Sequence, residues 1–324
     1  MSGQISQDLN LAVEILRAGG VVAVPTETVY GLAADASNPE AVKRIFEIKC
    51  RPASNPLIVH VAELNALENW ATTIPQIATQ LAARFSPGPL TYILPKKSHV
   101  EEMITAGKST IGLRIPQHPL TLELLQMFGG GLAAPSANRF TRVSPTSAID
   151  VQSDLGDQVD LILDGGRCEI GIESTILDLT QSPPVVLRHG AVSQEEIEQV
   201  IGPVSTFNRA ATASPGQSKL HYSTQTPMVR VEGESLSVFL RNENLKPKKI
   251  AVLTQEPAPK RLDNPNVTWL QLPGDERELA REIYKRFRDC DCGDYDLIVV
   301  TPAAESGIGR AINDRIHRAS RDSI

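Results

Sequence analysis

The run Val21-Val22-Ala23-Val24 is apolar and mostly β-branched, as a buried strand should be, and it stops at Pro25. Two threonines and a carboxylate follow at once, then Tyr30 and Gly31. A strand that ends this way turns Thr26, Glu27, Thr28 and Tyr30 out of a packed edge, which is how a pocket is lined. A strand end followed by a surface turn has the same composition, and this stretch by itself favours that reading.

The next segment narrows the choice. Asn38-Pro39 has the residues of a helix start, an Asn at the N-cap and a Pro at the first helical position. Val42, Ile45 and Phe46 give the helix one apolar face, and it runs into Lys49-Cys50-Arg51-Pro52. Lys43, Arg44, Lys49 and Arg51 form the most basic patch of the N-terminal half. A Lys-x-Arg pair on a turn is either a solvated surface or an anion clamp, the lysine a point charge and the arginine a fork. Charge alone favours the surface. Asn55-Pro56 leads to the strand Leu57 to Val59, with His60 near its end.

Further along, residues 7–18, 64–70, 77–85 and 119–128 read as helices, and Ser144-Pro145-Thr146 opens another. Strands are expected at 90–94, 110–115, 132–134, 159–163, 174–177 and 185–188. Arg114 is flanked by apolar residues, so its charge needs an ionic partner or a ligand. Ser136 and Asn138 either cap a turn or present hydrogen-bonding groups. Gly129-Gly130-Gly131 lacks Gly-x-Gly-x-x-Gly spacing, and the chain has no Gly-x4-Gly-Lys-Ser/Thr, so any ATP site is neither a Rossmann phosphate loop nor a P-loop.

A chain of 324 residues fits two domains. The expected boundaries are residues 1–201, a linker at 202–227 and a C-terminal domain at 228–324. Strand and helix alternate in the last part, with Leu279, Ile283 and Phe287 on one helical face, which predicts a small parallel Rossmann-like domain. Net charge of −6 and 4% aromatic residues argue against broad nucleic-acid binding. Four cysteines, Cys50, Cys168, Cys290 and Cys292, fit neither a zinc site nor a disulfide framework. With no signal peptide and no apolar run of membrane length, a soluble cytoplasmic protein is expected.

Six motifs carry a resemblance. They are Pro-Thr-Glu-Thr-Val-Tyr-Gly-Leu from Pro25, Lys-x-Arg-Pro-x-x-x-Pro-Leu from Lys49, Ser86 to Thr91, Gly112 to Pro116, Ala134 to Asn138 and Glu173 to Ile176. In this order they resemble the YrdC-like fold, and the longer layout, with Ser214-Pro215-Gly216 and His221-Tyr222, resembles the two-domain L-threonylcarbamoyladenylate synthases. The resemblance implies an α/β protein with an N-terminal twisted mixed sheet, and a reaction joining L-threonine, bicarbonate and ATP into threonylcarbamoyladenylate with release of pyrophosphate. A carbamate oxygen would attack the α-phosphate, so no serine or cysteine nucleophile is required.

Carried over position by position, the resemblance implies threonine contacts at Thr28, His60, Arg114 and Ser174. It implies ATP contacts at Arg51, Asn55, Thr110, Ser136, Asn138, Ser144 and Arg188. Lys49 and Arg51 would offset phosphate charge, and Tyr222, a linker tyrosine expected to have no core of its own, would cover the nucleotide. Mg²⁺ is expected with ATP and no protein-held metal is read. The product would pass to the machinery that makes N6-threonylcarbamoyladenosine in tRNA. An RNA-binding or ribosome-associated module is the alternative class. Carbamoyl transfer in hydrogenase maturation shares the fold, but those proteins are longer and cysteine-rich.

Overall fold

The computed structural model describes residues 3–206, 221–259 and 264–321. By its internal contacts the chain divides into two compact units, Met1–Phe140 with Ser144–Ala213, and Thr141–Val143 with Ser214–Ile324.

Eleven strands of the first unit form one mixed sheet among the described residues. In chain order they are β1 (Gln4–Ser6), β2 (Val22–Val24), β3 (Gly31–Asp35), β4 (Ile58–His60), β5 (Leu90–Pro95) and β6 (Thr110–Arg114), then β7 (Leu132–Ala133), β8 (Leu161–Leu163), β9 (Thr175–Asp178), β10 (Val185–Arg188) and β11 (Ser205–Thr206). Across the sheet the order is β1-β8-β2-β3-β7-β4-β6-β5-β9-β10-β11. Both faces are covered, and the pleat assigns the residues: Ala23 and Leu32 join one core, Val22, Val24 and Ala33 the other. The helices α2 (Pro39–Lys49) and α3 (Gln76–Phe85) pack in the first core, α1 (Leu9–Arg17) and α5 (Pro119–Phe128) in the second.

Asn38 caps α2 as expected, accepting from the Glu40 and Ala41 amides. The segment expected to be helical at 64–70 is a 3-10 helix, Leu64–Asn69. The helix expected from Ser144 starts at Ala148 instead, because Ser147 and Asp150 form the capping box that fixes its first turn. Strands β1 and β11 were not legible. Each borrows its hydrogen bonds from a distant partner, β1 from β8 and β11 from β10. Part of the expected linker is therefore strand, while residues 207–220, which carry Ser214-Pro215-Gly216, lie outside the described residues.

The second unit has a four-stranded sheet among its described residues, all parallel, in the order β12 (Met228–Arg230), β15 (Leu297–Val300), β13 (Ile250–Thr254), β14 (Val267–Gln271). It is the small parallel domain that the alternation predicts. On α9 (Glu276–Cys292), Leu279, Ile283 and Phe287 are all buried. Tyr222 corrects an expectation here, because it does have a core. Its ring is 3% exposed, stacks on Tyr284 at 5.6 Å between centroids, and lies under the Arg315 guanidinium at 5.3 Å. No helix among the described residues is long and apolar enough to cross a membrane.

Candidate active site

The loop after β2 is a hub. The Tyr30 amide donates to Pro145 O, the Ala137 amide to Tyr30 O, and the Ile170 and Gly171 amides to Glu27 O and Thr28 O. Of these partners Ala137 lies in the motif Ala134 to Asn138, and Ile170 and Gly171 stand just before Glu173 to Ile176. Backbone satisfaction thus welds this loop to segments more than a hundred residues away.

The first cluster of side chains forms where strands β4 and β6 end. They run parallel with His60 opposite Arg114. Arg114 is 4% exposed. Its Nη2 donates to Glu27 Oε1 (2.6 Å) and Thr28 Oγ1 (3.0 Å), and its Nε to Gly88 O (3.2 Å). The ionic partner that sequence analysis required is therefore Glu27. His60 is 5% exposed, and neither ring nitrogen makes a hydrogen bond of normal geometry. Burial, reinforced by the Arg114 charge and opposed weakly by the Ile58 backbone, pushes its pKa down to about 3. A neutral imidazole with two unmet polar atoms faces the same cluster as a buried arginine.

On the neighbouring strands, Ser174 precedes β9 and its Oγ meets Thr91 Oγ1 at 2.8 Å. Arg188, the last residue of β10, donates through Nε and Nη2 to Ser174 O and through Nη2 to Ser174 Oγ (3.1 Å). Ser144 Oγ donates to the buried Glu173 carboxylate (2.7 Å).

The second cluster is built around Lys49. Burial, and then the neighbouring Arg51 charge, pull its pKa well down. Its Nζ donates to the carbonyls of Ser136 and Asn138. A solvated surface is thereby ruled out for Lys49, which is 1% exposed; Arg51 stays partly exposed. Cys50 between them adopts φ of 51°, the left-handed conformation that ends α2, so the two cations leave the backbone in different directions. Arg51 donates to Asn55 O (3.4 Å) and Pro56 O (3.2 Å) and lies over Phe140 at 5.9 Å.

Among the residues named from the sequence, the structure joins Thr28 to Arg114, Ser174 to Arg188, Lys49 to Ser136 and Asn138, and Arg51 to Asn55. Thr110 is not bonded to the others. It begins the strand that Arg114 ends, four residues or about 13 Å away by strand rise. Tyr222 belongs to the second unit. Glu27, read from the sequence only as lining a pocket, bonds Arg114, and Glu173, which was not singled out, bonds Ser144; both stand inside the quoted motifs and are buried.

His60 gives a pH prediction. Its folded pKa lies below the unfolded value near 6.5, so below pH 6.5 the unfolded chain binds the extra proton. The associated stability is fully present above pH 6.5 and is lost as pH falls toward 3. At pH 5 the loss is about 2 kcal/mol, from 1.5 units at about 1.4 kcal/mol each. Denaturant melts at pH 7.5 and pH 5 should show a smaller difference in His60→Asn than in the parent. An equal difference would mean that His60 protonates freely in the folded state.

Residues 14–190 match a family model described as "Telomere recombination" (Sua5_yciO_yrdC), and residues 192–321 match "Threonylcarbamoyl-AMP synthase, C-terminal domain". The threonylcarbamoyl-AMP synthase of Pyrococcus abyssi is 40% identical over 96% of this chain and 94% of its own length. That of Bacillus subtilis is 38% identical over 95% and 92%. The crystal structure of P. abyssi Sua5 complexed with L-threonine superposes with a TM-score of 0.88 at 38% identity, covering 98% of this chain and 96% of that one. A mixed sheet with a buried Arg114–Glu27 pair at its strand ends, a separate parallel sheet behind it in sequence, and relatives matched along nearly their full length place the chain in the two-domain, Sua5-type threonylcarbamoyl-AMP synthase family.

Proposed function

We propose that the first unit condenses L-threonine, bicarbonate and ATP into threonylcarbamoyl-AMP and pyrophosphate. The observation that carries this reading is the first cluster, where a buried cation and a neutral, unsatisfied imidazole stand side by side. An α-amino acid complements that pair. Its carboxylate meets Arg114, and its remaining polar groups meet His60, Thr28 and Ser174.

ATP takes the second cluster and its surroundings: Lys49, Arg51, Asn55, Ser136, Asn138, Ser144 and Arg188, with Thr110 further along β6. Arg188 is bonded to Ser174, so the last of the nucleotide residues touches the last of the amino-acid residues. That is where a carbamate oxygen would approach the α-phosphate. The chemistry asked of the protein is alignment of two anions and neutralisation of the charge that grows on the phosphates. Among the described residues no three His, Cys, Asp or Glu side chains cluster as metal ligands. In this reading Mg²⁺ comes with the nucleotide phosphates. The product is consumed by a threonylcarbamoyl transfer to tRNA, and the cytoplasm is the compartment that suits this.

The test is pyrophosphate release from ATP with threonine and bicarbonate omitted in turn. Each omission should abolish release, and release that continues without threonine would refute the reading. In the same assay Arg51→Ala should lose at least about 100-fold, the scale of one preorganised electrostatic contact. The protein should stay folded, since the Arg51 side chain is partly exposed. Tight RNA binding without turnover would favour the RNA-binding alternative.

A further inference from the structure

We infer that Glu27 is a positioning residue for amino-acid recognition, an inference that rests on the reading of Arg114 as the carboxylate contact. Arg114 has five N–H donors. Three are already committed, Nε to Gly88 O and the two of Nη2 to Glu27 Oε1 and Thr28 Oγ1. Only the pair on Nη1 is left for a ligand. The end-on fork that uses Nη1 and Nη2 together, the geometry expected from arginine's shape, is therefore closed to the substrate.

Glu27 is braced at both oxygens. Oε1 holds Arg114 at 2.6 Å and Oε2 accepts from the Gln117 amide at 3.0 Å. Both side chains of the pair are 5% exposed or less. The guanidinium plane is thus fixed before any ligand arrives, and its charge is already balanced. The site then selects its amino acid by donor geometry more than by net attraction.

The same bonds set the polarity of Thr28. Thr26 Oγ1 gives its one hydrogen to Val29 O at 2.6 Å. In the 2.8 Å contact between the two threonine hydroxyls, Thr28 must therefore be the donor. Thr28 Oγ1 also accepts from Arg114, so towards a ligand it has only a lone pair to offer. It can receive an N–H or O–H but cannot bond a carboxylate. Arg114 Nη1 and Thr28 Oγ1 thus form a donor and an acceptor set side by side, matched to the carboxylate on one side and the amino or hydroxyl group on the other. Without the Glu27 carboxylate, a hydrogen on Nη2 is released and the arginine is free to rotate out of this arrangement.

The experiment uses the full chain with Glu27→Gln and Glu27→Asp, measuring pyrophosphate release against threonine and against ATP, with melting curves alongside. The Gln variant keeps the size but turns an amide N–H toward either Arg114 or the Gln117 amide. The Asp variant keeps the charge and draws the anchor back by about one bond. The expected result, in whichever variant folds, is a threonine KM raised roughly 10- to 100-fold, the scale of a misplacement near 1 Å, with the ATP KM unchanged. A lowered melting temperature with wild-type threonine KM would make Glu27 a purely structural ion-pair partner and overturn the inference. Arg114→Gln separates the two levels. If it leaves threonine use intact, the amino acid does not rest on Arg114 and the underlying reading fails as well. If it abolishes threonine use while the folded Glu27 variants keep normal threonine KM, only the positioning role fails.

Discussion

Lys49→Met is expected to lower kcat/KM for ATP by about 100- to 1,000-fold, the largest effect of any single substitution proposed for this site. The ammonium proposed to face the phosphates is the same group that holds the Ser136 and Asn138 carbonyls together. Methionine keeps the apolar stem packed but leaves both carbonyls without their donor, a further cost of about 1–3 kcal/mol in stability. The pH profile tells the electrostatic role from the structural one. Burial holds the Lys49 pKa well below its ordinary value, so its charged form is favoured by falling pH. Parent kcat/KM for ATP should therefore decline as pH rises through that lowered pKa, and the Met variant should lack this limb. If both proteins show the same alkaline limb, Lys49 does not act on ATP as a cation.

Tyr222→Ala is expected to destabilise the second unit by about 3–5 kcal/mol, the scale for removing a buried aromatic ring. The ring fills the space between Tyr284 and the guanidinium of Arg315, which is itself fully buried. Alanine would leave a cavity and take away the aromatic face over which that charge lies. The backbone gives no relief, because φ of 62° at this position is as unfavourable for alanine as for tyrosine. Denaturant unfolding followed by Tyr and Trp fluorescence measures the loss. A variant with unchanged stability and a raised KM for ATP would restore the expectation that this tyrosine serves the nucleotide.

Much of the first unit was legible because its strands are short apolar runs with hard stops. Prolines at 25 and 116 end two of them, and alternation of strand and helix marked out the second unit. Lys49 shows what was readable but missed. It falls seven residues after Val42 and four after Ile45, on the buried stripe of α2, so helical periodicity already places it inside. Strands β1 and β11 were not readable, since Gln-Ile-Ser and Ser-Thr are not apolar runs, and only their partners make them strands. The Glu27–Arg114 pair lay between. The sequence showed that Arg114 needed a partner, and Glu27 stood in a motif, but nothing in a linear reading joins residues 87 positions apart.

That separation bears on how the protein is made. Lys49 and Ser136 are likewise 87 positions apart, Tyr30 and Gly166 are 136, and β1 waits for residues 161–163 before it has any partner at all. A chain leaving the ribosome can pair β2 with β3 early, but carries β1 unpaired for most of the synthesis of the first unit. Closing such long loops costs entropy before the contacts repay it, so slow folding follows. Glu27 and Arg114 can meet once the chain passes β6, but Ser174 and Arg188 come later, and with them the junction between the two halves of the pocket. Catalytic competence is therefore among the last properties this domain acquires. Until then its unpaired edges are exposed to aggregation and are natural clients for chaperones.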